Sequence, residues 1–524
     1  MEKWFNIAGP CVAADHYMLP ATERLPEVRQ LIRRRQYFVI HAPRQSGKTT
    51  ALLQFARDLN GSGAYAALYC SLEALQNETD VTSAIIKIKG ILCSEMRSSH
   101  VFSGIAKEMG DLREGVKRED ESASGLKDFL SAFAAKAGKP LVILFDEADC
   151  LCFDPLISFL RQLRNGYVNR ENVPFPASIA LVGLRNIKDW RMRIRPDGES
   201  MGQASPFNVI TKVLPMRIFT REEMRTLYGQ HTAATGQVFE EEALVAAFDV
   251  TRGQPYLVNA VAHCCVDEIH KGNYAESVTA ADVAEAKERI IREQGSHLDS
   301  LMEKLEEARV RRVIEPVMLG ETVDRDLLDD DIRYCLELGI LEDERGVLKP
   351  ANPIYAETIG RYLTRGTQSN VLMKLPENPW VRDGGLDMPG LMAAFQQFWR
   401  ENADANTVPF GYREAYPQLV LQAFLQRVIN GGGQIVREMA LGAERLDLGV
   451  HFRGAVYPVE VKKASFYAKS HEKAHAQVAK YIDRLGQSEG WLVVADPDLT
   501  KPWDEKIGTE ELTFDGKAIH VVRC

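Results

Sequence analysis

The stretch YFVIHAPRQSGKTT, residues 37 to 50, constrains the fold of this chain more than any other part of its sequence. Residues 37–41 form a short apolar run that suits a buried parallel strand. A small, polar, glycine-containing loop follows, and the next segment, TTALLQFARDL, has the apolar spacing of a helix. A strand, a loop carrying Gly-Lys-Thr and a helix, in this order, predict a phosphate-binding loop, or P-loop.

The chemistry of such a loop assigns roles to its residues. Backbone N–H groups and the helix N-terminus hold phosphate oxygens. We expect Lys48 to reach the β- and γ-phosphates of a bound nucleotide and the Thr49 hydroxyl to ligate Mg²⁺. The general motif begins with glycine where this chain has Ala42, which the loop can accept unless that position needs a positive φ. The predicted nucleotide-binding residues of this segment are Pro43, Arg44, Gln45, Ser46, Gly47, Lys48, Thr49 and Thr50.

A second apolar strand ends in two acids, in PLVILFDEADCL at residues 140 to 151. Unpaired buried charge is costly, so Asp146 and Glu147 need a reason to lie at the mouth of a buried strand. We predict that Asp146 supports the Mg²⁺ shell and that Glu147 polarises the attacking water. The alternative is a strand end that surfaces into solvent. A third strand, SIALVGLRN, ends at Arg185-Asn186, where Asn186 either senses the γ-phosphate or occupies an ordinary turn.

These segments resemble the AAA+-related P-loop ATPases of the archaeal-type and signal-transduction (STAND) group. APRQSGKTT is similar to their P-loop with its preceding arginine, and ILFDEAD to their Walker B strand. TRGQPYLVNAVAHCC, residues 251 to 265, resembles the Gly-x-Pro turn that opens a helix of their lid. Residues 323–363 resemble the winged-helix domain that follows. The resemblance covers residues 1–365 and implies an α/β ATPase core, a helical lid and ATP-driven conformational change, often in oligomers.

Two further features of this part of the chain leave choices open. An arginine finger is expected where subunits share their sites, and Arg191, Arg193 and Arg195 are candidates. A charge run is usually a solvated face, and none of the three can be given a role from the sequence. The segment VDRDLLDDDIRYCLELG carries acids where a DNA-reading helix prefers Lys and Arg. We therefore expect the winged-helix segment to act as an intramolecular or regulatory element.

The stretch RLDLGVHFRGAVYPVEVKK, residues 445 to 463, predicts two alternating strands joined by a tight turn. A two-residue turn pairs Phe452 with Ala455 and places Asp447 opposite Glu460. A bulge at Gly454 would instead shift this pairing by one residue. Like charges directly opposite each other destabilise a sheet, and a bound metal ion is the usual way to make them favourable.

Mg²⁺ binds through one or two carboxylates and works with phosphate substrates. Lys462 lies on the same strand face as Glu460, where a cation suits a nucleophilic water or the charge that develops on a phosphate. The structural alternative is an outward, salt-bridged strand in which Asp447 protects a sheet edge against aggregation. The hairpin therefore predicts a metal site for phosphate chemistry.

This hairpin resembles the core of the PD-(D/E)xK nuclease superfamily, with RLDLGV as the strand of the first acid and PVEVKK as the E-x-K strand. The preceding YREAYPQLVLQAFLQRVINGGGQIVREMALG resembles the lead helix and first strand, and GWLVVADPDLTKPW supplies a closing strand. Leu446 replaces the proline of the nominal motif. The resemblance, over residues 411–524, implies a nuclease with Asp447, Glu460 and Lys462 as catalytic residues. It implies Asp447, Glu460 and Glu414 as ligands of Mg²⁺ or Mn²⁺.

Two parts of this resemblance have plain structural alternatives. HAQVAKYIDRLG places Gln477 and Tyr481 at the Q-x-x-x-Y spacing of the RecB-like branch, although residues four apart on a helix also pack together ordinarily. Glu414 precedes Pro417 at the start of a helix and could simply complement the helix dipole.

Length and charge bound the organisation of the chain. A chain of 524 residues exceeds the usual size of one core. We predict an α/β ATPase core at 1–220, a helical lid at 221–300, a winged-helix-like domain at 301–365, a linker with a helix at 366–410 and a nuclease-like domain at 411–524. The net charge of −9 excludes a surface that is basic throughout but allows a local basic groove. No transmembrane run, signal peptide or zinc spacing is evident, and a cytoplasmic location is expected.

The whole arrangement is similar to bacterial proteins that join an AAA-like ATPase to a C-terminal PD-(D/E)xK domain of the DUF1703 type. The resemblance implies an ATPase that regulates a Mg²⁺-dependent nuclease acting on DNA, with defence against foreign DNA as a role and homo-oligomers as an assembly. Two alternatives remain: a signalling switch whose C-terminal domain binds nucleic acid without cutting it, and a DNA motor. The sequence does not decide between DNA and RNA.

Overall fold

The structure is a computed structural model of the chain. It describes residues 3–114, 121–151, 153–184, 210–293, 295–318, 325–363, 381–382, 385–402, 421, 424–425, 433–441, 444–496 and 501–524. The chain divides into two units, Met1–Leu301 with Asp329–Tyr355 (unit 1) and Met302–Leu328 with Ala356–Cys524 (unit 2). Residues 301–365, predicted as one domain, fall into both units. Within the described ranges no helix is long and apolar enough to cross a membrane.

Up to residue 363, the chain contains both helices and strands in the first half of this range and mainly helices in the second. In chain order they are α1 Val28–Arg33, β1 Tyr37–His41, α2 Lys48–Gly61, β2 Ala66–Ser71, α3 Val81–Ser98, α4 Ala106–Glu114, α5 Leu126–Lys136, β3 Leu141–Asp146, α6 Phe153–Asn169, β4 Ser178–Gly183, β5 Ile210–Pro215, α7 Arg221–Thr235, α8 Glu241–Thr251, α9 Pro255–His263, α10 Ala280–Glu293, α11 Ser296–Leu305, α12 Ala308–Met318, α13 Arg325–Glu337, β6 Leu341–Glu344, β7 Val347–Pro350 and α14 Pro353–Leu363.

Strands β1 to β5 form one parallel sheet in the spatial order β2-β3-β4-β1-β5. Both of its faces are buried, because Tyr37 and Val39 of β1 belong to one hydrophobic core and Phe38 and Ile40 to another. Successive strand residues point to opposite faces, so a strand covered on both sides has to be apolar throughout. This explains the uninterrupted apolar runs of the sequence and confirms the predicted α/β core with a parallel sheet.

The helices after the sheet begin at clear caps. The hydroxyl of Thr220 accepts the N–H of Glu223, and the Glu223 carboxylate accepts the N–H of Thr220, which forms a capping box at the start of α7. The side chain of Gln254 caps α9, and Pro255 occupies the first helical position, where no N–H is needed. The Gly-x-Pro turn therefore opens a helix, as predicted.

The segment that resembles a winged helix contains an antiparallel hairpin between two helices. Strands β6 and β7 pair between α13 and α14, and the turn residues Arg345 and Gly346 have φ angles of 52° and 88°. Positive φ at both central residues is typical of the tightest hairpin turns. The structure thus places a hairpin between two helices in this segment, and the winged-helix assignment stays a prediction.

The remaining elements lie in unit 2. They are β8 Val381–Arg382, β9 Gly385–Leu386, α15 Met388–Asn402, β10 Gly433–Leu441, β11 Glu444–Phe452, β12 Ala455–Lys463, α16 Ala464–Arg484, β13 Glu489–Ala495, α17 Trp503–Lys506, β14 Gly508–Phe514 and β15 Lys517–Arg523.

Six strands of unit 2 form one mixed sheet in the order β10-β11-β12-β13-β15-β14. Strands β12, β13 and β15 are parallel, and β10, β11 and β14 each run antiparallel to their neighbours. The predicted first strand, hairpin and closing strand correspond to β10, β11 with β12, and β13. Strands β14 and β15 were not predicted from the sequence, although their Asp515-Gly516 turn is a strong hairpin signal.

Helices cover both faces of this mixed sheet. Phe395 and Trp399 of α15 share a core with Val459 of β12 and Trp491 of β13. On the other face, α16 packs through a second core that includes Val478. The helix α15 lies in the range predicted as a linker, 366–410. Its apolar side is part of the core, which corrects the linker prediction for these residues.

One buried histidine makes the stability of unit 1 depend on pH. His297, in α11, has its Nε2 2.6 Å from the hydroxyl oxygen of Tyr355. Burial lowers the pKa of His297 to about 4. The unfolded imidazole titrates near pH 6.5, so the folded state keeps the ring neutral where the unfolded chain protonates it. The resulting stabilisation is present above pH 6.5 and is lost as the pH falls towards 4.

When the pH is lowered from 7 to 5, we expect the unfolding free energy of the wild type to fall by about 2 kcal/mol more than that of His297→Gln. The reason is that glutamine does not titrate. Urea unfolding of both proteins at the two pH values measures this difference. His100→Gln, at an exposed histidine, is the matched control and should keep the wild-type pH dependence. An identical pH dependence in His297→Gln and the wild type would contradict the prediction.

Candidate functional site

The P-loop connects β1 to α2 through residues 42–47. Gln45 and Gly47 have φ angles of 54° and 87°, in the region that glycine enters most easily. Ala42 is buried and is not among the residues with positive φ. The loop therefore needs its glycine at residue 47, and it accepts alanine where the general motif has glycine.

Lys48 begins α2, and its ammonium folds back over the loop. Its Nζ donates hydrogen bonds to the carbonyl oxygens of Ala42, at 3.0 Å, and Pro43, at 2.9 Å. Burial lowers the pKa of Lys48, and the nearby carboxylates of Glu147 and Asp146 oppose that shift. The P-loop thus contains a buried cation with carboxylates close by.

Asp146 joins three elements at the carboxyl edge of the sheet. Strand β4 lies between β1 and β3, and the carboxyl ends of parallel strands meet at one edge. There, Asp146 Oδ2 accepts the Thr49 hydroxyl at 2.6 Å and the Tyr69 hydroxyl at 3.2 Å. Its Oδ1 accepts the N–H of Glu147 at 3.0 Å. A hydroxyl and a carboxylate oxygen therefore lie side by side at the start of α2.

Glu147 and Asp149 follow on the loop after β3. Glu147 has a φ of 50°, and its pKa is raised by burial and by Asp149 and Asp146, against the lowering effect of Lys48. Asp149 Oδ2 accepts the N–H of Leu184 at 3.0 Å, while its buried Oδ1 has no hydrogen-bond partner among the described residues. The site thus gathers three acids around one lysine.

Residues from other parts of unit 1 contact the start of α2 and the loop. The N–H of Cys11 donates to the Thr50 hydroxyl at 3.1 Å, so Thr50 holds the N-terminal segment against α2. Arg44, which is exposed, donates to the hydroxyl of Ser300 at 2.7 Å.

Pro43 of the loop lies against the turn at Gly339. A Cβ placed on Gly339, whose φ is 70°, would come within 2.4 Å of Pro43 Cγ. No side chain fits in so small a space, so glycine is required there. The P-loop is therefore in direct contact with residues well beyond the sheet.

The donor groups of this site fit a magnesium nucleotide. Hydroxyl and carboxylate oxygens such as those of Thr49 and Asp146 are the ligands that Mg²⁺ prefers. A lysine and loop N–H groups at a helix N-terminus are the usual partners of phosphate. The chemistry that such a site supports is binding and hydrolysis of a nucleoside triphosphate.

The hairpin of β11 and β12 has the register expected from a two-residue turn. Phe452 pairs with Ala455, and the regular pairs continue to Leu448 with Val459. The turn residues Arg453 and Gly454 have φ angles of 47° and 88°, as in the tightest hairpin turns. The register expected for the two-residue turn is therefore confirmed over these pairs.

Beyond the pair of Leu448 and Val459, hydrogen bonds between backbone N–H groups and side chains connect the two strands. The N–H of Asp447 donates to Glu460 Oε2 at 3.3 Å, and the N–H of Val461 donates to Asp447 Oδ2 at 2.8 Å. Lys462 Nζ donates to Glu460 Oε1 at 2.5 Å. The two acids and the lysine singled out from the sequence are thus in direct contact.

Glu460 is 1% exposed, and its environment disfavours ionisation. Burial and then the charge of Asp447 raise the pKa of Glu460 to about 7, although Lys462 opposes the shift. A divalent cation between the two carboxylates would remove this penalty, because its charge reverses the local electrostatics. Carboxylate oxygens are hard ligands that suit Mg²⁺ or Mn²⁺.

The structure describes only some of the other predicted site residues. Gln477 Nε2 donates to the Tyr481 hydroxyl at 2.8 Å, and Tyr481 is fully buried, which agrees with both a positioning role and ordinary packing. Among the residues that the structure describes, no group of three or more His, Cys, Asp or Glu residues is placed to hold a metal ion. The predicted residues that lie outside the described ranges are Asn186, Glu414, Arg191, Arg193 and Arg195.

Three residues that contact the candidate nucleotide site were not predicted from the sequence. Asp149 was visible as the last acid of the FDEAD stretch. Tyr69 carried no signal, because only the neighbouring positions of β2 and β3 in the sheet bring it to Asp146. Arg24, whose guanidinium donates to the Ser46 carbonyl at 2.6 Å, is far from the motif in the sequence and carried no signal either.

We expect Lys462→Met to lower the unfolding free energy of unit 2 by about 3 kcal/mol, because it leaves the buried Glu460 carboxylate without its cation. Urea unfolding in EDTA measures the effect. Lys473→Met, at an exposed lysine of α16, is the matched control and should have little effect. The double variant Lys462→Met/Glu460→Gln should recover most of the loss. A double variant as unstable as Lys462→Met alone would contradict the assigned pairing.

No family model matches the sequence. A comparison with curated proteins found no match either. Among solved structures, a Walker-type ATPase of Pyrococcus abyssi is 13% identical, with a TM-score of 0.48 over 68% of this chain and 99% of that one. The ORC2 protein of Aeropyrum pernix, solved with ADPNP and ADP, is 12% identical, with a TM-score of 0.39 over 65% of this chain and 91% of that one.

The RuvB Holliday junction branch migration motor of Thermotoga maritima is also similar in outline. It is 12% identical, with a TM-score of 0.33 over 64% of this chain and 92% of that one. At these identities and TM-scores, the similarity assigns neither an activity nor a partner to this chain.

Proposed function

We propose that unit 1 binds and hydrolyses ATP with Mg²⁺, and that unit 2 is a metal-dependent nuclease whose activity on DNA is regulated by ATP. One observation carries the first half of this proposal. The hydroxyl of Thr49 lies 2.6 Å from Asp146 Oδ2, and the neighbouring Lys48, which is buried, donates hydrogen bonds to carbonyl oxygens of the P-loop. The second half of the proposal is supported by the contacts among Asp447, Glu460 and Lys462.

Each residue of the nucleotide site has a separate task in this proposal. Loop N–H groups and Lys48 bind the phosphates, and Thr49 with Asp146 holds the metal. Bound Mg²⁺ supplies positive charge that neutralises the phosphate oxygens. Glu147 orients the attacking water and accepts its proton, a task that suits a carboxylate whose pKa is raised by burial.

Each hairpin residue has a separate role in the proposed phosphodiester hydrolysis. Asp447 and Glu460 would hold the cation, which would supply positive charge and lower the pKa of water near the phosphate. In the hydrolysis, a water oxygen forms a bond to phosphorus, the P–O bond to the leaving group breaks, and the proton that the water loses is balanced by one that the leaving oxygen takes up from solvent. Lys462 places a positive charge next to Glu460, where the phosphate gains negative charge.

Regulation by ATP is supported by the neighbours of the P-loop. Ser300 contacts Arg44, and the Gly339 turn lies against Pro43. Both contacts come from outside the parallel sheet. A nucleotide that reorders the loop changes these contacts, and it therefore biases the position of the segments that make them.

We expect Lys48→Ala to abolish tight ATP binding and Glu147→Gln to retain binding while hydrolysis slows about a hundredfold or more, since glutamine cannot accept the proton. Equilibrium binding of ATP and steady-state phosphate release measure the two effects. Glu222→Gln, at an exposed glutamate of α7, is the matched control and should keep both activities. Rapid hydrolysis by Glu147→Gln would remove Glu147 from its assigned role.

For the nuclease, we expect nicking of supercoiled plasmid in Mg²⁺ or Mn²⁺ that is lost in Glu460→Gln and in Lys462→Met. Both variants should keep wild-type ATPase rates. Glu472→Gln, at an exposed glutamate of α16, serves as the control and should cut normally. Comparing the wild type with Lys48→Ala, with and without ATP, reveals whether nucleotide binding controls cleavage. Cutting by Glu460→Gln at the wild-type rate would reject this site.

The contacts of the P-loop with Ser300 and Gly339 also favour a second candidate function, a nucleotide-driven signalling switch. In that case the C-terminal unit binds nucleic acid without cutting it. Purified protein that hydrolyses ATP and binds DNA, yet leaves plasmid intact with either metal, would select the switch over the nuclease.

A further inference from the structure

We propose that Arg24 is a positioning residue that couples the P-loop to the lid connector, defined as residues 216–220 between β5 and α7. The proposal rests on the nucleotide site assigned above and adds a residue outside its motifs. Arg24 ends a short 3-10 helix, Ala21–Arg24, which precedes α1. Its two partners, Ser46 in the P-loop and Arg217 in the connector, are far from residue 24 in the sequence, so only folding brings the three residues together.

The guanidinium of Arg24 holds two backbone segments at once. Its Nη2 donates to the carbonyl oxygen of Ser46 at 2.6 Å, and its Nε donates to the carbonyl oxygen of Arg217 at 2.8 Å. The guanidinium is planar and rigid, so two bonds from one group fix the two segments relative to each other. Arg24 is only 4% exposed, which excludes competition from bulk water.

The bond to Ser46 orients the part of the loop that faces phosphate. Within the planar trans peptide that joins Ser46 to Gly47, the C=O and the N–H point in opposite directions. Holding the carbonyl against Arg24 therefore turns the Gly47 N–H away from Arg24 and keeps a negative carbonyl dipole away from an anion. A Cβ on Gly47 would lie 3.3 Å from Arg24 Nη1, so the guanidinium packs closely against the loop.

The charge of Arg24 is not balanced by an ion pair with any carboxylate that the structure describes. The nearby Glu223 instead pairs with both terminal nitrogens of Arg217, at 2.5 and 2.6 Å. Arg24 lies over the ring of Phe219, with its Cζ 5.0 Å from the ring centroid. Burial and the charge of Arg217 lower the pKa of Arg24 to about 10, and the charge of Glu223 partly opposes this shift. A phosphate bound in the adjacent loop would add negative charge near this buried cation.

The connector continues the contact towards the lid. The N–H of Phe219 donates to the carbonyl of Gly253 at 2.9 Å. A Cβ on Gly253 would come within 2.0 Å of the Phe219 carbonyl oxygen, so the two backbones touch directly. Gly253 immediately precedes the cap of α9. Direct contacts therefore lead from the P-loop through Arg24 and the connector to a helix of the lid.

The test compares nucleotide affinities of the full-length wild type, Arg24→Gln and Arg24→Lys by calorimetry. Loss of a hydrogen bond from a charged donor at the phosphate loop should weaken ATP and ADP binding by about tenfold or more. AMP binding should change much less, because AMP lacks the phosphates that the P-loop holds. Arg24→Lys should be intermediate, since lysine keeps the charge but not the fork.

A second measurement reports the coupling itself. In the wild type, ATP should slow amide hydrogen exchange in residues 216–220, and this protection should be lost in Arg24→Gln. The matched control is Arg29→Gln, at an arginine whose side chain is 55% exposed and pairs with Asp58. It should keep wild-type affinities and protection.

The outcomes separate this inference from the proposed function. Wild-type protein that binds neither ATP nor ADP overturns both. Wild-type binding together with unchanged ATP and ADP affinities in Arg24→Gln overturns the role of Arg24 alone. If Arg24→Gln does not fold, Arg24→Lys decides the question, and wild-type affinities in Arg24→Lys reject the role.

Discussion

One carboxylate oxygen, Oδ2 of Asp146, connects the two parts of the candidate nucleotide site, the P-loop helix and the edge of the parallel sheet. It accepts hydroxyls from the first turn of α2 and from β2, so the P-loop helix and the sheet edge are held by a shared acceptor. That contact exists only because the parallel sheet places β3 and β1 on either side of β4, with their carboxyl ends at one edge. The buried apolar faces of the sheet therefore determine where the polar chemistry lies.

Both candidate sites repeat one electrostatic arrangement. At each site two or three carboxylates lie close together, and a single lysine partly offsets their repulsion. At the first site the lysine is Lys48, and at the second it is Lys462, in contact with Glu460. Groups held in charge states that their surroundings disfavour are typical of functional sites, because the same penalty disappears when a cation or a phosphate binds.

The elements that were predicted well are those with local signals. The hairpin register from Leu448 to Val459 followed from alternation and a two-residue turn. The start of α9 followed from the Gly-x-Pro turn. The helix Met388–Asn402 was recognised but placed in a linker, because turn-forming residues surround it and its partners in the core lie far away in the sequence. Strands β14 and β15 were missed despite their Asp-Gly turn.

The sequence by itself determined the residue types of both candidate sites: a loop with the composition that suits phosphate, acids of the kind that suit a cation, and strands that must be buried on both faces. These properties depend on residue type and on short spacing, so they are visible without a fold. Only the tertiary structure decided which distant groups complete the sites. Tyr69 reaches Asp146 through strand order, and Arg24 reaches Ser46 and Arg217 through the packing of three separate segments. Such contacts form when burial of apolar side chains brings together segments that are far apart in the sequence. The local sequence around each residue therefore does not predict them.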